Sequence, residues 1–377
     1  MSASEPLQSH REKIDEIDQK ILELLKERGQ VVKEVLETKI QNKLPIYVAG
    51  REDEKIQRFR EMATSYGIDS DWAEDFLRMI MTASRASQSL SSFPRATPDP
   101  KTIVFVGGGG GMGKLYARIG EASGHDVRIL EKNDWENADE ILKDAHLVVI
   151  TVPIKVTEQV IESISPKLPQ TAILADFTSN KGQILDTMMR SHSGPVLGMH
   201  PMHGPDVANL SKQLMMVCPG RDQEAAEWVL QQCALWGMRI KTVNPEQHDH
   251  AMNMIQGLRH FVALLHGSFM KEFDLEPGHI TDFSSPVYRA ELMMTGRIFA
   301  QDPELYADIV FANFERRTLL FDFFQHHSKL MELVQQNDRE GFINEFRSIS
   351  EFFGGFAEQA LEESSYLIHR LAERFAE

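Results

Sequence analysis

The sequence predicts a multidomain chain: an all-helical N-terminal domain, a doubly wound α/β domain, and an all-helical C-terminal domain. Three observations carry that reading. Within residues 7–42 the apolar side chains Ile14, Ile17, Ile21, Leu24, Val31 and Val35 step by three and four, as on one face of a long helix. Residues 101–131 read as strand, glycine turn, helix and strand. From Pro245 onward the pattern is helical, rich in Phe and Met, without strand alternation. The expected divisions are 1–92, a linker at 93–100, then 101–244 and 245–377.

In the first helix Arg28 occupies the stripe position between Leu24 and Val31, with Arg11 and Lys39 at the stripe's edge. Long cations often snorkel from an apolar face. Three of them on one side of one helix, in a chain of net charge −16, point instead to an anion-binding surface. After Pro45 and Ile46-Tyr47-Val48, a second helical segment begins at Arg51-Glu52. A third runs from about Asp71 to Leu90, with Ser70 or Asp71 as its N-cap. Its stripe of Ala73, Phe76, Leu77 and Ile80 continues into Ser84 and Gln88, polar groups that need partners or a ligand there. The Ser- and Pro-rich stretch SSFPRATPDP, residues 91–100, reads as a linker.

Ile103–Val106 suits a buried parallel strand and breaks into Gly107–Gly111, Met112 and Gly113. Gly108, Gly110 and Gly113 fit the G-x-G-x-x-G spacing, and Leu115, Ile119 and Ala122 follow at helical intervals. The run Val127–Leu130 ends in Glu131, 18 residues after Gly113, where an acid holds adenosine ribose hydroxyls. Dinucleotide binding follows, with NAD preferred because Glu131 repels a 2′-phosphate; Lys132 beside it weakens that preference. Leu147–Val152, closed by Pro153, and Thr171–Asp176 are further strands, which places Pro153, Ser179 and Lys181 at the cleft. Gly194–Pro205 reads as a loop dense in Gly, Pro and His. A helix over Asp222–Trp236 and a strand over Met238–Val243 finish the domain.

Composition narrows the function. A chain this acidic is a poor general nucleic-acid binder, and no apolar run is long enough to span a bilayer. The polar start, MSASEPLQSH, leads us to expect no signal peptide, and two cysteines fit a reducing cytoplasm. His200, His203, His248 and His250 could be read as zinc ligands. The pairs lie 45 residues apart without a Cys, and no metal is expected.

The set Arg11, Arg28, Lys39, Arg51, Glu52, Ser84 and Gln88 on three helices resembles an all-helical chorismate mutase domain, with Val48 where the family often has Asp. From about residue 101, the motifs VGGGG with MG, TVPI, LGMHPMHGPD, LRHF, SSPVYR and GRIFAQDP resemble prephenate dehydrogenase. Together they resemble the bifunctional enzymes of tyrosine biosynthesis. The resemblance implies rearrangement of chorismate to prephenate, then oxidative decarboxylation to 4-hydroxyphenylpyruvate with NAD⁺. It implies His200 as acceptor of the ring-hydroxyl proton, Ser179 as a second partner of that hydroxyl, and Arg297 as holder of a substrate carboxylate. His192, His260 and Arg289 are further candidates for cofactor or substrate contact, and Asp206 for ordering the site. In the mutase, Arg11, Arg28 and Arg51 would grip carboxylates, Lys39 and Gln88 serve the ether oxygen, and Glu52 the hydroxyl. His203 departs from the expected pattern and reads as loop packing.

A cytoplasmic homodimer is expected, joined through the C-terminal domain and inhibited by tyrosine. Arg11 and Arg28, 17 residues apart, would be separated by roughly 25 Å on one straight helix, so Arg11 is expected to enter the mutase site from a second chain. An arogenate-preferring dehydrogenase and an NAD-binding regulator with vestigial sites are the competing readings.

Overall fold

The computed structural model describes residues 5–47, 49–88 and 92–375. Its contacts divide the chain into two units, Met1–His248 and Asp249–Glu377. The first unit begins with helices α1 (Glu5–Gln41), α2 (Ala49–Ser65) and α3 (Ser70–Gln88). Asp69, rather than Ser70 or Asp71, caps α3: its carboxylate accepts from the Trp72 N–H at 2.7 Å. Ala73, Leu77 and Met81 of α3 and Ile56 of α2 are buried. Most of the α1 stripe is not: Ile14, Ile17, Ile21, Leu24, Val31 and Val35 are all exposed.

Residues 93–97 of the stretch expected as a linker are pinned to the α/β domain. Phe93 and Thr97 are buried, the Phe93 N–H donates to Ala122, and the Gln232 side chain bonds both Pro94 and Ala96.

Next comes a seven-stranded sheet: β1 (Thr102–Val106), β2 (Asp126–Leu130), β3 (Leu147–Ile150), β4 (Ile173–Asp176), β5 (Val196–Pro201), β6 (Leu214–Pro219) and β7 (Arg239–Thr242). Their spatial order is β2-β1-β3-β4-β5-β6-β7; all neighbours are parallel except β5 and β6. All five residues of β1 are buried. Ile103 and Phe105 face one core, shared with α4 (Gly111–Ala122) and α8 (Gln223–Leu235). Val104 and Val106 face the other, shared with α5 (Ala138–Leu142), α6 (Thr157–Ile164) and α7 (Gly182–Ser191). This two-sided burial is why the strands read as continuous apolar runs.

Two strands depart from the sequence reading. The segment expected as a Gly/Pro/His loop contains β5, and β6 was not foreseen. Gly198 permits the pairing, since a Cβ there would lie 3.1 Å from the Cys218 carbonyl oxygen on β6.

The second unit is helical. It holds α10 (Arg259–Glu272), α11 (Pro277–Asp282), α12 (Pro286–Gly296), α13 (Pro303–Val310), α14 (Phe314–Gln335), α15 (Arg339–Phe353) and α16 (Gly355–Phe375). A π-helical turn, Asn253–Leu258, follows α9 (Pro245–Met252).

Candidate active sites

The carboxyl ends of β1, β2 and β3 meet at the point where the strand order reverses, the crevice in which open α/β sheets bind ligands. Gly107 turns the chain with φ +78, and a Cβ there would meet Val152 at 2.8 Å. A Cβ on Gly113 would lie 2.5 Å from the Gly108 Cα, so helix and loop approach this closely only through glycine. Among the described residues no side chain caps the start of α4. Its first N–H groups therefore suit a pyrophosphate, with Gly108, Gly110 and Met112 around them. Glu131 stands at the end of β2, where its carboxylate accepts the Gly109 N–H and caps the turn that follows, while Asp134 bonds back to the Glu131 N–H. Pro153 begins the turn after β3. Gly108, Gly110, Met112, Gly113, Glu131 and Pro153 thus gather at one edge, and the uncapped helix and strand-end acid fit a dinucleotide.

Ser179 and His200 lie farther along the same edge, beyond β4 and at the end of β5, which are parallel neighbours. Both are buried. Among the described residues the Ser179 hydroxyl has no hydrogen-bond partner, so a ligand hydroxyl would satisfy it. His200 Nδ1 lies 2.9 Å from Nε2 of His248, and the rings meet edge to face with centroids 5.1 Å apart. His248 is fully buried. The sequence offers His248 only as a zinc ligand; nothing in its local pattern reports a contact 48 residues away.

One residue expected at this cleft lies elsewhere, and a second is buried beneath it. His192 follows α7 just before β5 begins, at the amino edge of the sheet, opposite the glycine loop. Its Nε2 is bonded to the Ala172 carbonyl at 2.7 Å, and Arg221 bonds its backbone oxygen. Burial holds its imidazole below the usual value. α7 carries the chain back across the sheet, which is why His192 lies at the edge opposite the cofactor loop. Lys181 is sealed beneath the edge, bonded to Asp176 and to the Met199 carbonyl. His203 does pack the loop: its Nε2 meets the Tyr116 hydroxyl at 3.0 Å. Asp206 lies two residues beyond Gly204, whose Cβ, if present, would meet its carboxylate at 2.7 Å. Both thiols are buried, and burial pushes Cys233 up to about 12.

In the three-helix domain, Arg28 donates to the Ser84 hydroxyl at 2.6 Å, and Ser84 in turn donates to the Ile80 carbonyl. Lys39 donates to the Ile46 carbonyl at 2.6 Å. Burial, then the charge of Arg51, lowers the Lys39 ammonium, while Glu52 opposes that fall. Lys55 is lowered by desolvation and by Arg28 and Arg51. It joins the cluster one turn after Arg51, at a helical interval from which it could have been found. Arg85 bonds Glu52. The structure therefore brings Arg28, Lys39, Arg51, Glu52 and Ser84 together. Arg11, exposed near the start of α1, is not among them. Val48 and the Gln88 side chain lie outside the described residues.

In the second unit, Arg297 is exposed at the end of α12 and Arg289 is half-buried on that helix. His260 stands edge-on to Tyr306, centroids 4.8 Å apart. Burial, reinforced by Arg259 and Arg316, lowers its imidazole to about 4.

Three stretches of the chain match known families. Residues 10–89 match the chorismate mutase type II family, 123–241 the nucleotide-binding domain of prephenate dehydrogenase, and 244–348 its dimerization domain. The T-protein of Haemophilus influenzae is 40% identical over 370 residues, covering 98% of this chain and 98% of that one. The T-protein of Enterobacter agglomerans is 40% identical over 358 residues, covering 95% and 96%. A solved prephenate dehydrogenase from A. aeolicus, in complex with hydroxyphenyl propionate and NAD⁺, shares the fold. Its TM-score is 0.56 at 18% identity, over 67% of this chain and 97% of that one.

Proposed function

We infer how the residues divide the work from the premise that the chain belongs to the T-protein family, the bifunctional chorismate mutase/prephenate dehydrogenases of tyrosine biosynthesis. It is an isomerase that converts chorismate to prephenate and an NAD-dependent oxidoreductase that converts prephenate to 4-hydroxyphenylpyruvate. The observation that carries the residue-level reading of the second reaction is the buried His200–His248 pair at the sheet edge that also bears the glycine loop.

When bound, NAD⁺ supplies the hydride acceptor. His200 accepts the proton of the ring hydroxyl as the carbon bearing it loses hydride. For Nε2 to accept, Nδ1 must carry the hydrogen and donate to His248 Nε2, which sets the tautomer of both rings. His248 then supports the imidazolium that forms. Carbon dioxide departs leaving its electron pair in the ring, and the proton returns to the phenolate oxygen. Ser179 bonds the same hydroxyl and Arg297 forks onto a carboxylate. His260 and Arg289 are secondary substrate contacts.

The mutase reaction is a pericyclic rearrangement that needs no proton transfer, so its residues act by positioning and charge. Arg28, Arg51 and Arg11 hold carboxylates, Lys39 and Gln88 face the ether oxygen, and Glu52 takes the hydroxyl. Ser84 orients Arg28. Arg11 comes from the partner chain: α1 is one continuous helix, and its apolar stripe is exposed in a single chain. The active form is a homodimer in the cytoplasm, with tyrosine as feedback inhibitor.

Incubation of the chain with chorismate and NAD⁺ tests the whole reading. NADH and 4-hydroxyphenylpyruvate should appear together, and prephenate should accumulate when NAD⁺ is withheld. Faster turnover of arogenate than prephenate would favour the competing substrate. NAD⁺ binding without turnover would favour a regulator.

A further inference from the structure

Glu52 is reached from outside the three helices. Lys212, on the connection between β5 and β6, places its Nζ 2.8 Å from Glu52 Oε2, while Arg85 holds Oε1. The lysine is held for this reach. Its backbone is left-handed (φ 68), a region that disfavours a residue bearing a Cβ and that recurs at functional positions. Its N–H donates to the Gly237 carbonyl at 2.8 Å, and its ammonium lies 5.0 Å from the centre of the Tyr47 ring.

The docking that brings Lys212 here is well packed. Leu36 and Ile46 share one core with Leu210, Trp236 and Met238. The Ile46 N–H meets the Leu235 carbonyl at 3.3 Å. A Cβ on Gly237 would lie 3.0 Å from both the Tyr47 Cβ and the Ser211 hydroxyl, so glycine is what lets the surfaces close.

We propose that Lys212 is a positioning residue of the mutase: the nucleotide-binding domain supplies one of the two cations that set the Glu52 carboxylate against the chorismate hydroxyl. The mutase site is therefore incomplete without the dehydrogenase portion of the chain. This rests on the assignment of Glu52 made above.

The test uses the full chain with Lys212→Met, Lys212→Arg, Glu52→Gln and the Lys212→Met/Glu52→Gln double variant. Both activities are measured, mutase on chorismate and dehydrogenase on added prephenate. Lys212→Met should lower mutase kcat/KM about five- to tenfold, the low end for a charge-assisted bond because Lys212 is partly exposed. Dehydrogenase should keep its rate, and Lys212→Arg should recover most of the mutase loss. The double variant should be no worse than Glu52→Gln alone, since both lesions act through one carboxylate. Wild-type mutase in Lys212→Met, with Glu52→Gln impaired, would overturn the role of Lys212 and leave that of Glu52 standing. An unimpaired Glu52→Gln would overturn both. Equal losses in the two activities would mean a disturbed nucleotide domain, and that too would overturn the proposal.

Discussion

Replacing His248 with Phe isolates the contribution of the imidazole pair. Phe preserves much of the ring volume in a fully buried position but removes the nitrogen 2.9 Å from His200 Nδ1. A buried donor left without an acceptor loses about 1–3 kcal/mol. If that loss falls on the protonated, transition-state form of His200, kcat drops by roughly five- to 150-fold. The loss should be smaller than that of His200→Asn, which removes the proton acceptor and should cost about 10²–10⁴-fold. His248→Gln offers a carbonyl acceptor and should recover part of the rate. Without its partner the imidazolium is harder to form, so the acidic limb of the kcat/KM profile should move to lower pH in His248→Phe. The assay is NADH appearance at saturating NAD⁺ with prephenate varied across pH, with mutase activity as the check on folding. Wild-type turnover and an unmoved acidic limb in His248→Phe would refute the orienting role.

Arg297→Lys should raise the KM for prephenate with little change for NAD⁺, because a point charge replaces a planar fork; an unchanged KM would mean this arginine serves another purpose. Glu131→Ala should weaken NAD⁺ binding and improve acceptance of NADP⁺, read as the ratio of the two kcat/KM values, and a constant ratio would remove Glu131 from the ribose site. Arg11→Ala and Lys39→Ala should each abolish mutase activity alone. Mixing them should restore it, since a mixed dimer holds one site with both lesions and one with neither; silence despite demonstrated mixed dimers would refute the shared site. The His260 imidazole, lowered to about 4 against about 6.5 in an unfolded chain, makes stability rise with pH between those values, where the unfolded state binds more protons. That stability is fully present above about pH 6.5 and lost as pH falls toward 4, in an amount that solvent screening reduces because the ring is only partly buried. Thermal melts at pH 7 and pH 5 should therefore differ less in His260→Gln than in wild type, and an equal difference would contradict it.

The sequence by itself determined whatever is encoded in local spacing. The period of α1, the strand–glycine–helix unit and the position of Glu131 at the end of β2 all follow from short-range rules of backbone geometry and burial. So does the presence of Arg28, Lys39, Arg51, Glu52 and Ser84 on three amphipathic helices. Only the tertiary structure decided what depends on distant segments meeting. Gly, Pro and His made β5 look like a loop, because its antiparallel partner β6 supplies the pairing and neither strand's composition reveals the other. His192 looked like a cofactor contact until the path of α7 placed it at the opposite edge of the sheet. His248 and Lys212 carry no local signature: one becomes the partner of His200 and the other of Glu52 only when residues far apart in sequence are packed together. The exposed stripe of α1 lies between these cases. Its pattern is plain in the sequence, and a single folded chain leaves it uncovered because its own helices bury too little of that face.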